Sequence, residues 1–136
     1  MFRFERPVRF AEVDPARVVF FPHVGAYCHD ALEALLAELP GGYAALVADR
    51  DLGIPTARFD VDFRAPLRYG DVAVIMVEIE RIGRSSVALR YVIRRRADDV
   101  LCALVRHVIV VARMSTFTSE PIPADMKSVL QAHLAR

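Results

Sequence analysis

The chain has 136 residues, 54% of them hydrophobic and 26% charged, with a formal net charge of +1. That length suits a single domain over residues 1–136, and the balance excludes intrinsic disorder. Near-neutrality argues against nonspecific nucleic-acid binding, which needs a basic face, and apolar runs such as residues 72–77 are too short to span a bilayer.

The opening residues alternate charge and apolarity and do not resemble a signal peptide. Residues 2–13 read as mostly extended, with Phe2, Phe4, Val8 and Phe10 on one face and Pro7 at an edge. Asp14-Pro15-Ala16-Arg17 breaks that pattern.

The strongest periodic signal follows Pro22. Val24, Tyr27, Cys28, Ala31, Leu32, Leu35, Leu36 and Leu39 recur at helical spacing, which predicts an amphipathic helix over residues 23–38. His29, Asp30, Glu33 and Glu38 fall on its polar side. Pro22 suits its first turn, and Pro40-Gly41-Gly42 stops it. A short helical turn over residues 43–48 and a loop at Gly53-Ile54-Pro55 are expected next.

Four strands follow. Residues 56–66 alternate, with Ala57, Phe59, Val61, Phe63 and Ala65 on one face. Residues 72–82 form a long strand, and Gly83-Arg84-Ser85 marks a hairpin. Residues 86–95 point Val87, Leu89, Tyr91 and Ile93 inward. Residues 100–112 are apolar nearly throughout, which predicts a central strand buried on both faces. A helix over residues 124–135 closes the chain, with Met126, Val129, Leu130 and Leu134 on its apolar side. The order β-α-β-β-β-β describes an α+β layer in which an antiparallel sheet of about five strands wraps one long helix.

Cys28 and Cys102 belong to no C-x-x-C pair and read as buried small hydrophobes in a reducing cytoplasm. The four histidines show no metal-ligand spacing, so no metal or other cofactor is expected. His29 and His133 read as solvated, His107 as a satisfied core or interface histidine, and His23 as a helix-start residue, for which reach into a site is the lesser reading. No phosphate-binding glycine loop and no G-x-S-x-G elbow is present.

What remains is Asp14, eight residues before a helix N-terminus. On residue type alone it has two readings. One is a turn residue before Pro15. The other is a carboxylate beside free backbone N–H groups, able to attack a carbonyl or activate water while those donors hold the oxyanion.

The stretch from Phe10 to Pro22 resembles the active-site loop of 4-hydroxybenzoyl-CoA thioesterases and their hotdog-fold relatives. The likeness continues through Gly53-Ile54-Pro55-Thr56, Arg68-Tyr69-Gly70-Asp71, Gly83-Arg84-Ser85-Ser86 and Ile122-Pro123-Ala124-Asp125, in order. It implies a hotdog fold and hydrolysis of an acyl-CoA, with an aromatic acyl group such as 4-hydroxybenzoyl favoured and short-chain aliphatic acyl-CoA left open. Asp14 would be the catalytic carboxylate, and the Phe21 backbone N–H would hold the thioester oxygen. Arg84, Ser85 and Ser86 would approach the phosphates of coenzyme A, where a planar guanidinium suits phosphate. Thr56 would lie near the acyl pocket. The resemblance also implies a homodimer or homotetramer with its site at the dimer interface.

Arg17 departs from the pattern, because many relatives carry glycine there, where a left-handed turn is easy. An arginine at that position is expected either to point outward or to touch the pantetheine or phosphates. Two other functions compete: release of an acyl group from acyl carrier protein, for which Arg64, Arg68 and Arg94–Arg96 would form a basic rim, and non-catalytic binding of acyl-CoA.

Overall fold

A computed structural model describes residues 1–135. A five-stranded antiparallel sheet carries the fold. Its strands are β1 (Phe2–Pro7), β3 (Thr56–Phe63), β4 (Val72–Ile82), β5 (Ser86–Arg95) and β6 (Leu101–Val110), in the spatial order β1-β4-β5-β6-β3. A smaller sheet joins β2 (Leu52–Gly53), β7 (Ala112–Arg113) and β8 (Thr118–Ser119). Three α-helices accompany them: α1 (His23–Leu36), α2 (Gly42–Arg50) and α3 (Ala124–Gln131). No described helix is long and apolar enough to cross a membrane.

The inward face of the sheet is set by strict alternation. Ala73, Ile75, Val77 and Ile79 on β4, and Val87, Leu89, Tyr91 and Ile93 on β5, are almost wholly buried. The predicted stripe of α1 covers them, with Tyr27, Leu32, Leu35 and Leu36 equally buried. Each such leucine contributes roughly 1.5–3 kcal/mol of apolar burial. Gly83 opens the β4–β5 hairpin, where its N–H donates to the Ser86 carbonyl and a Cβ would crowd Ser86, 2.9 Å from its Oγ and 3.3 Å from its carbonyl oxygen.

Several expectations need correction. Helix α1 ends at Leu36, because the chain tightens through bonds from Glu38 N to Leu35 O and Leu39 N to Leu36 O before Pro40. Gly53 belongs to a short strand paired with Ala112. Phe10 sits on a single 3-10 turn and is exposed, edge-on to Tyr69. Helix α3 stops at Gln131, and the following residues run along β4, with Ile79 donating to His133 O and Ala135 donating to Ile79 O. Leu134 therefore lies outside the helix and is exposed.

The two strands on the far side of the sheet differ most from expectation. β6 is paired on both edges, but its buried positions alternate and Arg106 on its outer face is exposed. Only one of its faces is buried in this chain. β3 is the sheet edge, and almost all of it is exposed, including Phe59 and Phe63. An apolar edge strand of this kind is a template for pairing with another chain.

Candidate active site

The loop over residues 13–22 is pinned at its neck. Val13 and Val19 form an antiparallel bridge, and Val19 N donates to Leu67 O. Between them the chain reverses in a tight turn. Arg17 N donates to Asp14 O at 2.8 Å and Asp14 N donates to Val18 O at 3.0 Å. Asp at the first turn position and Pro at the second suit this geometry, and Ala16 N donates to Asp14 Oδ1 at 2.8 Å. Both readings of Asp14 therefore meet in one residue: it builds the turn with one oxygen and leaves the other with no protein partner among the described residues.

Arg17 takes φ 68°, in the left-handed region, and its side chain is exposed. It thus keeps the backbone that a glycine would supply and turns outward. Arg17 and Asp14 line a cleft of about 630 Å³ with Phe10, Arg68 and Tyr69.

The chain then enters α1. Phe20 N donates to Glu12 O, and His23 N, the first helical amide, donates to Phe20 O. The Phe21 N–H between them has no protein acceptor among the described residues. It is a free donor at the positive end of a helix. The Phe21 side chain lines a separate apolar cavity of about 310 Å³ with Val18, Val24, Phe63, Leu67 and Ile93. His23 is half-buried, with its ring 6.3 Å from that of Phe20, and lines neither space.

The other predicted residues lie elsewhere. Arg84, Ser85 and Ser86 form the β4–β5 hairpin. The Arg84 carbonyl accepts from Ile122 N and the Ser85 carbonyl from Val111 N, while the exposed Arg84 guanidinium has no protein partner among the described residues. Thr56 begins β3 at this same end of the sheet, opposite Ile109. Its hydroxyl shares a 2.8 Å hydrogen bond with His107 Nε2, and His107 Nδ1 shares one of 2.9 Å with the Tyr91 hydroxyl. His107 is thus satisfied and buried, and burial, with a smaller contribution from His29, pushes its pKa down to about 4. His133 is less solvated than expected, held by Glu38 Oε1 at 3.0 Å and packed edge-on against Phe2.

The structure therefore places Asp14, Arg17 and Phe21 on one loop at one end of the sheet, with Asp14 and Arg17 lining one cleft and the Phe21 side chain another, and places Thr56, Arg84, Ser85 and Ser86 at the other end. Pro7, just before the acid loop, pairs with Val72 at the start of β4, whereas Arg84 follows the end of β4. An extended strand of that length covers roughly 36 Å.

One group escaped the sequence reading. Glu12 is buried two residues before Asp14. It accepts from Arg6 Nη2 at 2.6 Å, Arg9 N at 2.8 Å and the Tyr27 hydroxyl at 2.9 Å. Burial raises its pKa, but the Arg9 amide, Tyr27 and Arg6 outweigh that and hold the carboxyl below its ordinary value. A signal was present: Arg6 shares the inward register of Phe2 and Phe4, and an arginine there needs a buried acid. Both cysteines are buried and free, as expected, and burial raises both thiol pKa values. No group of three or more metal-ligating side chains is assembled among the described residues.

Comparison with known proteins agrees with this architecture. The chain is 29% identical to a 1,4-dihydroxy-2-naphthoyl-CoA hydrolase of Thermosynechococcus vestitus, over 92% of this chain and 88% of that protein. It is 30% identical to the enzyme of the same name from a Synechococcus species, over 90% and 85%. The crystal structure of a 1,4-dihydroxy-2-naphthoyl-CoA thioesterase from Synechocystis superposes with a TM-score of 0.88 at 24% identity, covering 96% of this chain and 95% of that one. That likeness establishes the hotdog fold. Residues 8–130 match the model of the thioesterase-like superfamily, and the chain belongs to that family.

Proposed function

We propose that this acyl-CoA thioesterase acts on hydroxylated aromatic acyl groups, releasing the free acid and coenzyme A. The observation that carries the reading is that one short loop holds both a half-free Asp14 carboxylate and an unbonded Phe21 N–H. The Phe21 N–H receives the thioester oxygen as negative charge develops on it. Asp14 then either attacks the carbonyl carbon, expelling the coenzyme A thiolate and leaving a mixed anhydride for water to open, or takes a proton from the attacking water. Neither route calls for a cofactor. The names of the relatives favour a dihydroxynaphthoyl group over 4-hydroxybenzoyl.

The working unit in this reading is at least a homodimer. Antiparallel pairing of two β3 edges would cover Phe59 and Phe63 and set the Thr56 end of one chain against the Phe63 end of the other. Arg84 of one copy would then serve Asp14 of its neighbour, and the half-exposed outer face of β6 leaves room for a tetramer.

The carrier-protein reading has less support. Of the basic rim, Arg64 is engaged by Asp62, Arg95 by Asp98 and Arg96 by Glu5. The test is an assay of purified protein against 1,4-dihydroxy-2-naphthoyl-CoA, 4-hydroxybenzoyl-CoA and short aliphatic acyl-CoAs, with Asp14→Asn in parallel. Turnover concentrated on the aromatic thioesters and lost in the variant supports the proposal. Equal and slow hydrolysis of every thioester by both proteins refutes it.

A further inference from the structure

We infer that Glu12 is a positioning residue for this chemistry: it clamps the loop that carries Asp14 to the helix head that carries the Phe21 N–H. The inference rests on the reading of Asp14 as the reacting carboxylate, and it concerns how Asp14 and Phe21 are held rather than what they do.

Apart from the buried tyrosines and cysteines, Glu12 and His107 are the buried polar side chains among the described residues. Glu12 uses both of its carboxylate oxygens. Oε1 accepts from Arg9 N at 2.8 Å, Tyr27 Oη at 2.9 Å and Arg6 Nη1 at 3.2 Å, and Oε2 accepts from Arg6 Nη2 at 2.6 Å. These bonds tie it to two other pieces of chain, β1 through Arg6 and α1 through Tyr27, and cap its own 3-10 turn through the Arg9 amide.

Its main chain extends the clamp. The Glu12 carbonyl accepts the Phe20 N–H at 2.9 Å, so one residue holds both sides of the loop neck, outside the Val13–Val19 bridge. With the Phe20 N–H occupied, the Phe21 N–H is the next one along the chain and stays free. Arg6 reinforces the arrangement. Its guanidinium lies 4.8 Å from the centre of the Tyr27 ring, and its Nε donates to Asp30 Oδ2 at 3.2 Å, less than one helical turn beyond Tyr27.

Stability alone does not account for a charged group here. A buried ion pair is often matched or bettered by apolar packing of the same volume. What it adds is direction: four donors converging on one carboxylate admit one placement of the loop. A misplacement of about 1 Å in a reacting group can cost about 10²-fold in rate.

The test compares Tyr27→Phe and Glu12→Gln with the wild-type protein. The first removes a single hydroxyl and keeps the ring under Arg6, so it preserves the fold if Glu12→Gln does not. Three quantities are read: kcat and KM on the thioester hydrolysed by the wild type, the melting temperature, and amide hydrogen exchange over residues 13–21. Positioning predicts a kcat lowered about 10- to 100-fold with KM within about twofold, and faster exchange in the loop while β4 and β5 amides are unchanged. Wild-type kcat with unchanged loop exchange overturns the inference. So does a lowered melting temperature with unchanged kcat in the folded protein, which marks a merely structural group. Asp14→Asn is run alongside. If it keeps full turnover, the catalytic role of Asp14 is refuted, and this result is distinct because loop exchange in Tyr27→Phe reports on the clamp independently of activity.

Discussion

Asp14 and Arg84 stand at opposite ends of β4. The acid loop follows the strand that pairs with the start of β4, and the hairpin arginine follows its last residue. If Arg84 grips coenzyme A and Asp14 meets its thioester, two chains must share each site. Mixing inactive Asp14→Asn subunits with inactive Arg84→Ala subunits should then restore about a quarter of wild-type activity. Half of the dimers would be mixed, and each mixed dimer would hold one intact site. Steady-state assay after subunit exchange reads this directly. No recovery, with mixed dimers demonstrated by mass, would place each site within one chain.

The Asp14→Asn substitution should separate chemistry from structure. Asparagine keeps an oxygen able to accept the Ala16 N–H, so the turn survives. It loses the negative charge and the basicity. The expected outcome is kcat lowered by about 10²–10⁴-fold with a melting temperature within about 2 °C of wild type. A large fall in melting temperature would mean that the carboxylate is mainly a builder of the turn.

Sequence periodicity located α1 and the main-sheet strands because each buries a continuous face against the other, and 3.6-residue and two-residue patterns record that burial. The Asp14 turn was readable because Asp and Pro act locally. What stayed hidden depends on partners distant in sequence. The alternation of Ala57, Phe59, Val61 and Phe63 showed which side needs cover, but not that this chain leaves it largely bare. The apolar run around Val105 suggested two buried faces, whereas the outer face of β6 is only partly covered. Glu12 went unread because the one local hint, Arg6 in the inward register, does not say which acid meets it or that Arg9 and Tyr27 converge on the same carboxylate.

Arg17 holds a left-handed backbone at φ 68° with a side chain that prefers otherwise. The conformation costs roughly 1 kcal/mol for a residue with a Cβ. Arg17→Gly should therefore stabilise the protein by up to about 1 kcal/mol, less the extra chain entropy of glycine, and raise the melting temperature by about 2–4 °C. Calorimetry checks this. An accompanying rise in KM for acyl-CoA would show that the guanidinium also contacts the substrate, as its place in the cleft beside Asp14 and Arg68 allows.

His107 sets the response to mild acid. Its folded-state pKa is pushed down to about 4 from an ordinary 6.5, chiefly by burial. The neutral form is therefore the one the fold prefers. Its contribution is complete above pH 6.5 and is lost as the pH falls toward 4, reaching about 3 kcal/mol over that window. The hydrogen bonds do not explain the loss, since a protonated ring donates to both Thr56 Oγ1 and Tyr91 Oη. The cost is a buried charge on β6, beside the Phe59 ring of β3. Carboxylates such as Glu12, Asp98 and Asp125 are held below their ordinary values, so their contributions persist until lower pH. Urea denaturation of the wild type between pH 7 and 4.5 should show stability falling with pH, and His107→Gln, which keeps polar atoms but cannot charge, should flatten that slope. An unchanged slope in the variant would assign the acid sensitivity to another group.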